Sequence, residues 1–253
     1  MIQKLMPRKV DITIQTAATP EQVWRAVTEP EDIASWFSPI VKVEPGVGGS
    51  MTFGWDADMQ FTSPINEWEP NQHLQTGDDR EKNGETFPIR IDYFIESDKG
   101  TTHLRLVHSG FGDTADWDNE IAGYEDGWAM FMALIAHRLK HANQPAAQAT
   151  VYRNVPLPRA EAWAKLAGPD GLIHITDRTF TVNGTQGSVE FTKPNFFRGV
   201  IPAWNDAMLA IFCEGGKSSM ITVALMVFGD TRNEADARRA DWTAALNRLF
   251  PAQ

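Results

Sequence analysis

An internal repeat constrains the fold of this chain more than any other feature. The sequence FGDT at Phe111–Thr114 recurs 117 residues later at Phe228–Thr231. After each copy comes an acidic stretch and then a helical pattern of apolar residues that begins at Trp128 or at Trp242. Because the order of these features agrees in both places, the sequence predicts two copies of one structural unit.

A second pair of matching segments lies near the start of each copy. Each segment has the pattern of a short helix that ends before a proline, because proline disfavours helix at the residue preceding it. The matched residues, at a constant spacing of 139, are Trp24, Val27 and Pro30 with Trp163, Leu166 and Pro169. Since the spacings of 117 and 139 differ by 22, we expect the second copy to lack about that many residues, taken from its middle strands.

The repeat sets the expected domain boundaries. We predict a complete domain over residues 8–142 and a shortened, divergent one over residues 149–250. The segment Asn143–Gln148 between them is small, polar and contains a proline, which is typical of a linker. A trimmed second copy fused to a complete one also suggests intramolecular pairing of the two domains.

The first copy follows an α+β order. Residues 10–14 alternate between apolar and polar as a half-buried strand does, and residues 19–28 carry helix-capping residues. Alternating segments between residues 40 and 108 predict several strands, with residues 87–95 as one unbroken strand. A long helix closes the unit near His141, and its apolar face is formed by Trp128, Met132, Ile135 and Leu139.

Four segments of the first copy resemble the START-like (SRPBCC) superfamily, in particular the bacterial homologues of the activator of heat-shock protein 90 ATPase. The segments are Thr19–Phe37, Glu67–Leu74, Thr102–Phe111 and Gly127–Leu139. The resemblance implies a helix-grip fold, in which a curved antiparallel sheet wraps the long C-terminal helix and leaves a cavity between them. Relatives bind lipids, sterols, polyketides or other apolar ligands, and some are cyclases or hydrolases.

In such a fold the cavity lies between the concave face of the sheet and the long helix. We expect Trp36 at its mouth, and the apolar lining is predicted to be Phe53, Phe61, Trp68, Ile91, Tyr93, Leu106, Trp128 and Met132. His108 alternates with Leu104 and Leu106 and therefore points inward, where an imidazole could hydrogen-bond a ligand or act as a base. Its counterpart in the second copy is Leu225, so the fold does not require a polar group there.

Three functions compete at this stage. The leading hypothesis is a carrier or sensor that holds a hydrophobic small molecule in the first domain. The second is a cyclase or hydrolase that uses His108 and Tyr93 in the same cavity. The third is a co-chaperone, but the eukaryotic activators carry an extra N-terminal domain that is missing from this sequence, so no chaperone partner is expected.

Other classes of function are disfavoured by composition and spacing. A net charge of −10 repels phosphate backbones, so no nucleic-acid partner is expected. Apolar runs are too short for a membrane span, and a single cysteine, Cys213, fits a cytoplasmic protein. His137 and His141 share a helix face but lack a third ligand, so we predict no metal. No catalytic motif and no cofactor are predicted.

Overall fold

A computed structural model describes residues 8–55, 59–229 and 232–251, and it describes the backbone alone at residues 119 and 232–234. The chain forms two compact units, Met1–Ala142 and Asn143–Gln253, called here the N-terminal and C-terminal domains. Asp230 and Thr231, the last two residues of the second FGDT segment, lie outside the described residues.

The N-terminal domain has the predicted α+β order. Its helices are α1 (Pro20–Thr28), α2 (Pro30–Ala34) and α3 (Asp118–Lys140). Its strands are β1 (Val10–Thr16), β2 (Ile40–Glu44), β3 (Ser50–Gly54), β4 (Gln60–Glu69), β5 (His73–Thr76), β6 (Asp79–Lys82), β7 (Glu85–Pro88), β8 (Arg90–Asp98) and β9 (Thr101–Ser109).

Seven of these strands form one curled antiparallel sheet in the order β1-β9-β8-β5-β4-β3-β2. The helix α3 lies against one face of this sheet, and Leu104, Leu106 and Ile135 are fully buried there. The remaining strands, β6 and β7, pair only with each other as a separate hairpin. This is a helix-grip-like fold, which confirms the predicted fold class.

Local sequence explains the start of α1. The side chain of Thr19 accepts a hydrogen bond from the backbone N–H of Gln22, and the Gln22 side chain accepts one from the backbone N–H of Thr19. Pro20 stands at the first helical position, where its missing N–H has no helical partner to lose. The reciprocal bonds satisfy two orphan donors, so the helix begins where the sequence predicts.

A buried ion pair fastens α3 to the helices at the start of the domain. Asp32 lies on α2 and is 8% exposed, and Arg138 lies in the last turn of α3 and is 5% exposed. The guanidinium of Arg138 donates to the Asp32 carboxylate, and its other nitrogen donates to the backbone oxygen of His141 at 2.9 Å. Each buried charge is therefore compensated by hydrogen bonds.

The C-terminal domain repeats this architecture. Its helices are α4 (Arg159–Leu166) and α5 (Arg232–Leu249). Its strands are β10 (Ala146–Val155), β11 (Ile173–Ile175), β12 (Thr179–Val182), β13 (Thr185–Lys193), β14 (Phe196–Ile201), β15 (Ala207–Gly215) and β16 (Ser219–Phe228). They form an antiparallel sheet in the order β10-β16-β15-β14-β13-β12-β11, which corresponds strand by strand to the first sheet.

Two expectations about the strands are wrong. The C-terminal domain keeps seven strands in its sheet, and the described elements that it lacks are the counterparts of α2 and of the β6–β7 hairpin. Residues 87–95 are also divided, because β7 ends at Pro88 and β8 begins at Arg90. Proline has no N–H to donate, so it can end the pairing of the hairpin.

Candidate functional site

A cavity of about 440 Å³ lies in the N-terminal domain between α3 and the sheet. Residues of α1, α2, α3 and of strands β3, β4, β5, β8 and β9 line it. Aromatic side chains make up much of the wall, and they are Trp36, Phe37, Phe53, Trp55, Phe61, Tyr93, Tyr124, Trp128 and Phe131. Among the residues that the structure describes, the lining contains no Asp, Glu, Lys or Arg side chain.

The aromatic rings touch one another around Phe37. Its ring centroid lies 4.7 Å from that of Phe131 on α3 and 5.1 Å from that of Phe53 on β3, both edge-to-face. Phe53 continues the series to Phe61 on β4 at 5.3 Å. Phe61 is 48% exposed, so the cavity reaches the surface beside this ring. Edge-to-face contacts hold the rings in place and keep the wall in one shape.

His108 on β9 is the most buried polar side chain of the wall, at 4% exposure. Its Nδ1 accepts a hydrogen bond from the indole Nε1–H of Trp128 at 3.0 Å, which places the proton of the neutral imidazole on Nε2. Burial lowers the pKa of His108 to about 4, because charging the ring in an apolar environment is unfavourable. The imidazole is therefore neutral near pH 7 and presents one N–H.

Tyr93 on β8 adds a second polar group to this part of the wall. Its side chain is 8% exposed, and burial raises the pKa of the phenol well above its usual value of 10.0. The hydroxyl therefore keeps its proton at physiological pH and can both donate and accept a hydrogen bond.

Seven of the ten residues predicted from the sequence line the cavity. They are Trp36, Phe53, Phe61, Ile91, Tyr93, His108 and Trp128. Trp36 does not lie at the mouth, because it is 3% exposed and its indole N–H donates to the backbone oxygen of Ala26 at 2.8 Å.

The other three predicted residues, Trp68, Leu106 and Met132, are not among the lining residues. Trp68 packs edge-on against Trp24 of α1 at 4.9 Å. Leu106 and Met132 are at most 1% exposed and belong to the closed core beneath α3. Alternation along a strand predicts on which face of the sheet a side chain lies. It does not predict whether that side chain belongs to the closed core or lines the cavity.

Two glycines of α3, Gly123 and Gly127, also line the cavity and were not predicted. They lie one turn apart, and a β-carbon added at either position would meet no atom within 4 Å. A glycine within a helix costs about 1 kcal/mol relative to alanine, so two of them on one face are unfavourable for the helix alone. Their positions leave room beside the helix backbone for the cavity.

A sequence profile described as "Activator of Hsp90 ATPase homolog 1-like protein" matches residues 17–140, which contain every residue that lines the cavity. The N-terminal domain is similar to this family over nearly its whole length. The match confirms the resemblance inferred from the four sequence segments, and we call this part of the chain the AHSA1-like domain. No curated protein matches the chain significantly.

Several solved structures are similar to the chain in fold. MLL2253 from Mesorhizobium loti is 24% identical, covering 53% of this chain and 98% of its own, with a TM-score of 0.46. DynU16, from the dynemicin biosynthetic locus, is 19% identical, covering 95% and 97%, with a TM-score of 0.45. BexL, a di-domain ARO/CYC from the BE-7585A biosynthetic pathway, is 13% identical, covering 95% and 94%, also at 0.45. With identities and TM-scores this low, none of these likenesses assigns a function.

The β6–β7 hairpin of the AHSA1-like domain packs on the first turn of α3. Lys82 donates to the Glu120 carboxylate at 2.5 Å, and its ammonium lies 4.1 Å from the ring centroid of Trp117. Arg80 bonds the other oxygen of Glu120 at 2.8 Å and approaches the hydroxyl of Tyr124 at 3.4 Å. These cations, Lys82 first, lower the pKa of Glu120. The hairpin thereby positions the helical turn that carries Tyr124 into the cavity wall.

Two further features of the described residues concern metals and membranes. Within residues 8–55, 59–229 and 232–251, no three His, Cys, Asp or Glu side chains are close enough together to hold a metal ion. The rings of His137 and His141 lie 5.3 Å apart. No helix in the same ranges is both long and apolar enough to cross a membrane.

Proposed function

We propose that the AHSA1-like domain binds a hydrophobic small molecule in its cavity, as a carrier or sensor does. The observation that carries this proposal is a space of about 440 Å³ within the domain, whose described lining is largely apolar and carries no charged side chain. Ligand pockets of proteins have volumes of about 300–1,000 Å³ and are mostly apolar with a few polar groups. The cavity agrees with that description in size and in lining.

The expected affinity follows from the area that a ligand would bury. A ligand that buries ~200 Å² of apolar surface gains roughly 5 kcal/mol at about 25 cal/mol per Å², before the cost of ordering the ligand. Because rings line much of the wall and pack on one another, the site loses little conformational entropy when it is filled. Micromolar binding of a compact apolar ligand is therefore within reach.

Acid–base catalysis in the same cavity is the second candidate, since His108 and Tyr93 both line it. A general base works best when its pKa lies near the working pH. Burial lowers the pKa of His108 to about 4 and raises that of Tyr93, so each group is a weak catalyst near pH 7. These directions favour binding over proton transfer.

The test uses the full chain and an uncharged fluorescent probe, N-phenyl-1-naphthylamine. We expect the probe to bind the wild-type protein and to bind Gly127→Leu at least about tenfold more weakly, because the leucine side chain would enter the cavity. Ala129→Leu is the matched control, since Ala129 is exposed on the same helix. Native mass spectrometry of the freshly purified chain would identify a co-purifying ligand.

The contrary outcomes are specific. Failure of the wild-type protein to bind the probe, or equal binding by Gly127→Leu and Ala129→Leu, would contradict a binding role for this cavity.

A further inference from the structure

One part of the cavity wall carries a group of neighbouring polar side chains. In the sheet register, Ile91 of β8 pairs with Thr76 of β5 on one side and with His108 of β9 on the other. All three line the cavity, and so does Tyr93, two residues further along β8. Three polar side chains, Thr76, Tyr93 and His108, therefore surround one apolar residue, and we call them the polar trio.

The polar trio is buried and open toward the cavity. Thr76, Tyr93 and His108 are 5%, 8% and 4% exposed. Among the residues that the structure describes, none hydrogen-bonds the hydroxyl of Thr76, the hydroxyl of Tyr93 or the Nε2–H of His108. All three groups line the cavity, where a bound molecule can reach them. A ligand oxygen placed between these groups would supply the partner.

The charge of the wall limits what that ligand can be. No lysine or arginine of the described ranges lines the cavity, and the neutral imidazole of His108 contributes no positive charge near pH 7. The guanidinium of Arg80, which approaches Tyr124, is paired with Glu120. A carboxylate or phosphate in the cavity would be buried without a counter-charge, which is strongly unfavourable.

We propose that the cavity selects an uncharged, ring-containing ligand with one carbonyl or hydroxyl oxygen directed at Thr76, Tyr93 and His108. The proposal rests on the binding function proposed above and adds its ligand class. The ring system contacts the aromatic wall around Phe37, and the oxygen accepts the hydrogen bonds that the polar trio offers.

Three probes of nearly the same shape test this selection: 2-acetylnaphthalene, 2-naphthoate and 2-isopropylnaphthalene. Each is titrated into the full chain at about pH 7, and binding is followed by isothermal calorimetry. We expect the neutral ketone to bind best and the hydrocarbon about 2- to 10-fold more weakly, since it forgoes one net hydrogen bond. We expect the carboxylate to bind at least about 100-fold more weakly than the ketone.

Two shape-conserving variants locate the oxygen. Tyr93→Phe and Thr76→Val remove one hydroxyl each, and we expect either to reduce the preference for the ketone over the hydrocarbon while leaving the affinity for the hydrocarbon nearly unchanged. Tyr152→Phe, in the C-terminal domain, is the matched control.

The outcomes separate the two proposals. If none of the three probes binds, the binding function itself fails. If the carboxylate binds as well as the ketone, or if the variants weaken all three probes equally, the cavity binds apolar ligands but the selection proposed here is wrong.

Discussion

The two domains share one sheet order and differ in the residues that stand at corresponding positions of the sheet. In the N-terminal domain, Met51, Ser63 and Thr76 stand on β3, β4 and β5 and line the cavity. The register of the C-terminal sheet places Phe180, Gly187 and Gly199 at the corresponding positions of β12, β13 and β14.

In the C-terminal sheet the ring of Phe180 lies over the two glycines. Phe180 is 1% exposed, and a β-carbon added at Gly187 or Gly199 would come within 2.4 or 2.5 Å of its ring. The ring of Phe197 packs on Phe180 with centroids 4.7 Å apart. The C-terminal sheet thus carries one large ring over two glycines, whereas the N-terminal sheet carries Met51, Ser63 and Thr76, which line the cavity.

The largest effect on stability is expected from a substitution of the buried ring of Phe180. Phe180→Ala should destabilise the C-terminal domain by about 3–5 kcal/mol, because it removes a buried ring and leaves a void. Hydrogen exchange of β14 and β15 peptides, followed by mass spectrometry, reports the opening free energy of this domain alone. Phe191→Ala is the control, since Phe191 is 43% exposed and its loss should cost less than about 1 kcal/mol. Equal costs for both variants would refute the packing comparison.

The next effect follows from the histidine that the N-terminal domain has where the C-terminal domain has Leu225. The pKa of His108 is about 4 in the folded state and 6.5 in the unfolded chain, so the unfolded chain takes up a proton first on acidification. Protonation of His108 should therefore leave the free energy of unfolding unchanged above pH 6.5. Between pH 6.5 and pH 4 it should lower that free energy by roughly 3 kcal/mol.

Urea unfolding at several pH values measures this loss in the wild-type protein and in His108→Gln, which keeps a hydrogen-bond acceptor for Trp128 but does not titrate. The variant should lose less stability on acidification than the wild-type protein. Identical pH profiles would show that His108 is not a buried neutral group.

The smallest effect concerns glycines that serve opposite purposes in the two domains. Gly127→Ala should stabilise the N-terminal domain by up to about 1 kcal/mol, because the added methyl meets open space and alanine favours helix. Gly187→Ala should instead destabilise the C-terminal domain by about 1–3 kcal/mol, because the methyl collides with Phe180. Hydrogen exchange of each domain gives both values. A change in stability of the same sign for Gly127→Ala and Gly187→Ala would contradict the account.

The sequence was sufficient for the elements and for part of the site. Helix caps at Thr19, alternation toward His108 and the helical spacing from Trp128 depend on local chemistry, so they predict strands, helices and faces. Thr76 and Phe131 were missed because their contribution depends on how far the sheet stands from α3. That separation is set by residues on several strands at once.

The expectation that the second copy lacks middle strands is wrong for a related reason. A deficit of residues says how many are missing but not which element they formed. The C-terminal domain retains all seven strands of the sheet. The β6–β7 hairpin of the N-terminal domain, Asp79–Pro88, has no counterpart among the described elements of the C-terminal domain. A hairpin that pairs only with itself can be lost without breaking the sheet, whereas a middle strand cannot.

Nine tryptophans spread over both domains allow the central claim to be tested in one experiment. Each indole N–H gives a separate signal in a ¹H–¹⁵N correlation spectrum, and N-phenyl-1-naphthylamine is titrated into the labelled chain. If the ligand space lies in the N-terminal domain alone, the signals of Trp36, Trp55 and Trp128 shift and those of Trp163, Trp204 and Trp242 do not. Shifts confined to the second set, or none in the first, would contradict the account.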